Sequence, residues 1–140
     1  MIWLVAAGLS TALVLIAALH AYWGWGGTWP ERTAADLARA VVGDGRTRMP
    51  PPWACFAVAA VLLVVAAWPW AMLAAPDSEP ALVFGIAAAA IFFVRGSAGY
   101  SPRWRQRFSI EPFATRDMRF YSPLCLALAT GIMALLARST

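Results

Sequence analysis

Three residues of this chain carry chemistry into an apolar setting: His20, Arg95 and Asp117. His20 is the only histidine and closes an apolar run, on a helix face with Ile16 and Trp23. Its imidazole suits a proton carrier, a ligand donor or an axial metal ligand. The plainer alternative is a hydrogen bond to a neighbouring carbonyl or to water. Haem and zinc need further ligands, and the chain has no second histidine, so no metal centre is expected within a monomer and no cofactor can be named. Arg95 interrupts a second apolar run. A charge at the centre of a span costs about 2.5–3.5 kcal/mol even on the lenient scale, which marks a functional site by default. Arg95 lies near the end of its helix, so its side chain either snorkels to the surface or joins an ion pair. Asp117 is the first choice of partner and Glu111 the second.

Tyr121 and Ser122 add hydroxyls at the same end of a helix, with Cys55 and Cys125 close by. Ser122, His20 and Asp117 make a Ser-His-Asp set on paper. Against it, Ser122 is expected to cap a helix, and no nucleophile-elbow pattern surrounds it. Gly24-Trp25-Gly26-Gly27 lacks the spacing and the following lysine of a phosphate loop; its glycines suit a backbone turn with positive φ. The two cysteines both sit in apolar runs and read as small buried hydrophobes rather than a disulfide scaffold.

Composition fixes the solvent in which these residues work. Of 140 residues, 61% are hydrophobic and only 13% charged, with mean hydropathy +0.66. Soluble domains are closer to half apolar and about a quarter charged. A small soluble core cannot bury such an excess. The expected fold is therefore one all-α domain, an integral membrane bundle of four transmembrane helices.

The first span, TM1, covers residues 2–23, about the length needed to cross a hydrocarbon core of roughly 30 Å. No Lys or Arg precedes Ile2, so a retained helix is expected rather than a cleaved signal. Thr28-Trp29-Pro30-Glu31 fits a capping box and predicts a short interfacial helix over residues 29–42, stopped by Gly43. Three prolines then lead into TM2, residues 53–75, whose last turn should bend or fray at Pro69. The acidic turn at 76–80 is short enough to make TM2 and TM3 antiparallel neighbours. TM3 covers residues 81–100, with Gly85 and Ala89 as a small pair that admits a close helix. TM4 covers residues 122–138, with Ser122 as N-cap and Pro123 at the first helical position. Because 122–138 is short for a span, the helix can also begin upstream and kink at Pro123.

Charge predicts orientation. Ten arginines flank the loop after TM1 and the segment from the end of TM3 to TM4; the opposite side has only Arg138, with Asp77 and Glu79. That bias predicts cytoplasmic long loops, the interfacial helix among them, and both termini outside. Trp3, Trp68 and Trp70 are expected at the outer interface and Trp23, Trp25, Trp29, Trp53 and Trp104 at or near the inner one. The basic balance is thereby accounted for by orientation and contact with anionic lipid, with no nucleic-acid partner.

Two motifs, His20-x-Tyr22-Trp23-x-x-Gly26-Gly27-x-Trp29 and Asp117-x-x-Phe120-Tyr121-Ser122-Pro123-Leu124-Cys125, resemble an uncharacterised family of small bacterial membrane proteins, a domain of unknown function with four predicted membrane helices. The likeness covers nearly the whole chain, with a departure at Gly24-Trp25. The resemblance implies a four-span fold and a bacterial inner-membrane location, and it transfers no activity.

The inner ends of TM1, TM3 and TM4 are thus expected to meet around a polar pocket lined by His20, Trp23, Arg95, Asp117, Tyr121 and Ser122. One function for such a pocket is binding a small amphiphile or membrane lipid, as carrier or sensor. A second is a non-catalytic accessory subunit docked to a membrane-protein partner, or to further copies of itself, through its small-residue faces. A membrane enzyme acting on a lipid stands third.

Overall fold

The computed structural model describes residues 1–138. It is all-helical, and four of its helices are long and apolar enough to cross a membrane. These are α1 (Ile2–Gly24), α3 (Pro52–Ala74), α4 (Glu79–Ala98) and a rod running from Phe113 to Leu136. The rod consists of α6 (Phe113–Arg116), a π turn (Asp117–Tyr121) and α7 (Ser122–Leu136). Two short helices, α2 (Ala34–Val41) and α5 (Pro102–Arg107), lie in the connections.

The four spans pair unequally. Helix α1 packs along α3, and α4 packs along α7; between the two pairs the contacts are thin, chiefly α1 with α7 and α3 with α4. Leu13, Ala17, Leu62, Val65, Trp68 and Ile132 are buried along the seam. The short turn after α3 does bring α4 alongside it, yet α3 takes α1 as its main partner. Residue size explains part of this. Gly85 of α4 receives the Trp68 ring, whose indole donates to the Ala81 carbonyl at 2.7 Å. Trp68 is thereby buried at the α3–α4 contact instead of standing at an interface, while Trp3 and Trp70 meet as an exposed pair.

Local chemistry sets the helix ends. Gly26, at φ 89°, ends α1 in a Schellman motif, with the Gly27 amide on the Tyr22 carbonyl and the Gly26 amide on the Trp23 carbonyl. The expected interfacial helix over 29–42 is shorter, Ala34–Val41, and its cap is Thr33, whose hydroxyl accepts from the Asp36 amide at 3.1 Å. Glu31, the expected capping partner of Thr28, pairs with Arg116 on the rod instead. Gly43, at φ 75°, ends α2 as expected. Helix α3 continues through Pro69 to Ala74, and the Ala66 carbonyl in the turn before it accepts the Ser10 hydroxyl at 2.7 Å.

The largest difference lies in the fourth span. Ser122 is no N-cap: its φ of −67° and ψ of −47° are helical, and it sits in the middle of the 24-residue rod. Pro123 lacks an amide, which in a regular helix would both orphan a carbonyl and clash one turn back. The π turn widens the helix so that the Ser122 amide reaches the Asp117 carbonyl, five residues back. The Met118 carbonyl then accepts the Tyr100 hydroxyl at 3.2 Å. The rod passes Pro123 without ending.

Candidate functional site

The π turn carries Asp117, and α4 carries Arg95 opposite it. Close approach of the two helices requires Gly99, where a Cβ would fall inside the Ser122 hydroxyl and lie 2.9 Å from Asp117 Oδ2. Arg95 Nη2 donates to Asp117 Oδ1 at 2.6 Å. Trp104 Nε1, from α5, donates to Oδ2 at 2.9 Å, and the Ser122 hydroxyl donates to Oδ1 at 3.3 Å. Asp117 is 2% exposed and Ser122 is fully buried. A buried carboxylate needs this many donors, because an unpaired charge there is far costlier than a neutral polar group. The Arg95 guanidinium also lies over the Trp104 ring, 4.8 Å from its centroid. Its Nη1 is buried and, among the described residues, has no hydrogen-bond partner.

Arg95 forms part of the wall of a cleft of about 350 Å³ between the two helix pairs. His20, Trp23, Tyr121 and Cys125 line the same cleft, with Phe92 and Leu62 toward the apolar side. Asp117 and Ser122 do not reach it. Asp117 instead lines a second cavity of about 570 Å³ among the loops, with Gly99, Tyr100, Trp104 and Glu111. Four of the six residues expected in one pocket therefore share a cleft, and the other two stand behind Arg95. The reason is the ion pair itself: its positive partner faces the cleft and its negative partner is enclosed by donors on the far side.

The remaining groups are tied locally. His20 Nδ1 lies 2.9 Å from the Ile16 carbonyl one turn back, so this nitrogen bears a hydrogen and donates it to its own helix. The ring packs against Trp23 at 5.0 Å between centroids. Trp23 Nε1 donates to the Trp29 carbonyl at 2.8 Å, which fixes the turn after α1. Tyr121 donates to the Ala40 carbonyl at 3.1 Å, bringing the end of α2 over the cleft, where Val41 joins the lining. Glu111, the second-choice partner for Arg95, accepts from Thr115 instead.

No Ser-His-Asp relay forms. The Ser122 hydroxyl is donated to Asp117, and His20 bonds its own helix. Among the described residues no three His, Cys, Asp or Glu side chains come together as a metal site. Nothing in the sequence around Trp104 marks it as the second donor to Asp117; only its Arg-rich surroundings set it apart. The contribution of α2 through Val41 likewise has no signal in the sequence, because it depends on how the α2 connection folds back.

No curated protein and no solved structure matches the chain. A family model does, over residues 13–132, which takes in both the His20–Trp29 and the Asp117–Cys125 motifs. The chain belongs to the DUF3995 family, described as a protein of unknown function.

Proposed function

We propose that this multi-pass protein binds a small amphiphile in the cleft between its helix pairs, as a carrier or sensor in the bacterial inner membrane. One observation carries the reading. A guanidinium with five N–H donors stands on the wall of a mostly apolar cleft; one nitrogen is engaged with Asp117, and Nη1 has no partner among the described residues. A buried donor without a partner costs about 1–3 kcal/mol, and more when charged. A ligand oxygen entering at the polar end, with a small shift of the side chain, removes that cost. His20 lines the cleft at the same level, so a polar head group with an anionic or carbonyl oxygen suits its polar end.

The accessory-subunit reading has less support. The small pair it would dock through is used internally: Gly85 is covered by Trp68 and Leu136, and Ala89 is buried. The enzyme reading also has less support, since Ser122, its candidate nucleophile, bonds Asp117 and not His20.

In the proposed orientation the arginine-rich connections face the cytoplasm and the termini face outward, which follows from the ten-to-one arginine bias. A tag in the 76–80 turn that proves accessible only from the cytoplasm overturns it. Binding is tested by purifying the chain with native lipids and identifying co-eluting molecules by mass spectrometry. One enriched amphiphile, lost from Arg95→Ala and reduced in His20→Ala, is the expected result. A stoichiometric protein partner with no enriched small molecule would favour the subunit reading instead.

A further inference from the structure

The cleft does not end at its apolar side. Val58, Leu62 and Phe92 line it and also line a second cavity, a furrow of about 340 Å³ between α3 and α4. Beyond these three the furrow is walled by Val61, Val65 and Ala88, and its surface is wholly apolar. Helices α3 and α4 touch thinly, while Val61 and Ile91 stand 62% and 68% exposed on the furrow's rim. The furrow therefore opens sideways along the helices, toward lipid in a membrane. It ends near Ala88, ten residues from the end of α4 at Ala98, or about 15 Å at 1.5 Å per residue. That is about half of a 30 Å hydrocarbon core, the depth of one leaflet.

We infer that the occupant of this cleft and furrow is an anionic amphiphile with a single apolar chain, its oxyanion at Arg95 and its chain laid between α3 and α4. The inference rests on the binding reading above and specifies its ligand. The head group is selected by charge: among the described residues that line the cleft Arg95 is the one arginine and there is no carboxylate, since Asp117 is turned to the other cavity. The chain is selected by shape. Lipid tails are as apolar as the furrow's walls, so burial of a chain there has no hydrophobic driving force. What the furrow supplies is dispersion contact on two walls and a direction. A smaller apolar cavity of about 190 Å³ also adjoins the cleft, at His20, Trp23, Val41 and Val58, but it is walled by Val42, Met49 and Pro50 of the first connection, so the furrow along α3 and α4 is the one assigned to the chain. Affinity should accordingly follow head-group charge first and chain length second, the latter through the contacts made in the furrow.

A carboxylate from a free fatty acid and a phosphate monoester on a lipid share this chemistry. The test is native mass spectrometry of the full chain released from micelles, titrated with palmitate, palmitoyl lysophosphatidate, octanoate and zwitterionic palmitoyl lysophosphatidylcholine. At least one long-chain anionic probe should bind once per chain and about ten- to a hundredfold tighter than lysophosphatidylcholine, the range of one charge-assisted hydrogen bond. Preference for palmitate identifies a carboxylate source, preference for lysophosphatidate a phosphate, and equal preference any oxyanion; all three support the inference. Arg95→Gln should abolish the preference and Arg95→Lys retain most of it, with helical content by circular dichroism showing that both variants fold. Val61→Trp, on the exposed rim, should weaken palmitate binding toward that of octanoate. Equal binding of lysophosphatidylcholine, or an anionic preference that survives in Arg95→Gln, overturns the inference and leaves lipid coating only. If octanoate equals palmitate and Val61→Trp changes nothing, the furrow is not the chain site, while binding in the cleft stands. If no probe binds selectively and no native amphiphile co-purifies, the binding reading itself fails.

Discussion

Arg95 and Asp117 are bonded at 2.6 Å, yet each lines a different cavity, Arg95 the cleft between the helix pairs and Asp117 the polar hollow among the loops. The pair thus forms a partition between the two spaces. Its members are not equivalent: the Arg95 side chain is 31% exposed, the Asp117 side chain 3%. Asp117→Ala leaves a cation in an apolar wall and removes the acceptor for Trp104 and Ser122 as well. We expect a loss of about 3–5 kcal/mol, the cost of breaking a buried pair from one side. The double change Arg95→Met with Asp117→Leu should recover most of it, because apolar replacement of a whole buried pair is often neutral. Reversible unfolding in mixed micelles measures both. A double variant no more stable than Asp117→Ala would show that the ion pair is not what Asp117 contributes.

Gly99→Ala tests the close approach of α4 to the π turn. The added methyl meets the Ser122 hydroxyl and Asp117 Oδ2 together, so neither can move without loosening the Asp117 bonds. A loss of about 1–3 kcal/mol is expected, as for overpacking in a filled site. Gly8→Ala is the matched control: nothing lies within 4 Å of its new methyl, and helix propensity alone predicts a gain of about 0.5–1 kcal/mol. Thermal unfolding of the two variants side by side should show opposite signs.

Much of this was written in the composition of single segments. Four apolar runs predict four spans, and the cost of a charge within a span singles out Arg95, with Asp117 as first-choice partner ahead of Glu111. What escaped the sequence depends on competition or on packing. The sequence points to Thr28 as the cap; in the fold Glu31 pairs with Arg116, far away in the chain, and Thr33 caps the helix instead. Arg116, Asp117 and Arg119 point to a start at Ser122, while the shortness of 122–138 points to a start upstream; the helix does start upstream, at Phe113, because one π turn and the satisfaction of Asp117 make that polar stretch helical. The furrow has no signature at all. It arises because α3 prefers α1 and α4 prefers α7, a pairing that no local pattern states.

The loop at Asp44 provides a pH-dependent contact outside the spans. Arg46 Nε donates to Asp44 Oδ1 at 2.9 Å and Nη2 to Oδ2 at 2.6 Å. Side-chain hydrogen bonding from Arg46 holds the Asp44 carboxyl below its ordinary value of 3.8, against a smaller opposing effect of desolvation. A lowered folded-state value means that the contact contributes above the unfolded value and is lost as pH falls through the folded one. The turn should therefore be intact at pH 5 and above and open only in the range below about 3.8, with little effect on global stability because the pair is exposed. The NMR shift of the Arg46 Hε proton, followed from pH 6 to pH 2, checks this. A transition centred above 4 would contradict it.

Tyr121 joins the α2 connection to the rod. Its hydroxyl donates to the Ala40 carbonyl in the last turn of α2, and its ring packs 5.9 Å from Phe113, which in turn presses on Gly43 just beyond that helix. Tyr121→Phe removes the hydroxyl and keeps the ring, so the rod should stay folded with a loss of about 0.5–1.5 kcal/mol. The effect should concentrate in α2, whose eight residues are too few to hold a helix without tertiary support. Hydrogen exchange across 34–42 should accelerate by about tenfold, the equivalent of 1.4 kcal/mol, while α7 is unchanged. Since Val41 also lines the cleft, the same variant should loosen ligand binding without altering head-group preference, which Arg95 sets. Uniform acceleration in α2 and α7 together would mean that Tyr121 holds the bundle rather than the roof of the cleft.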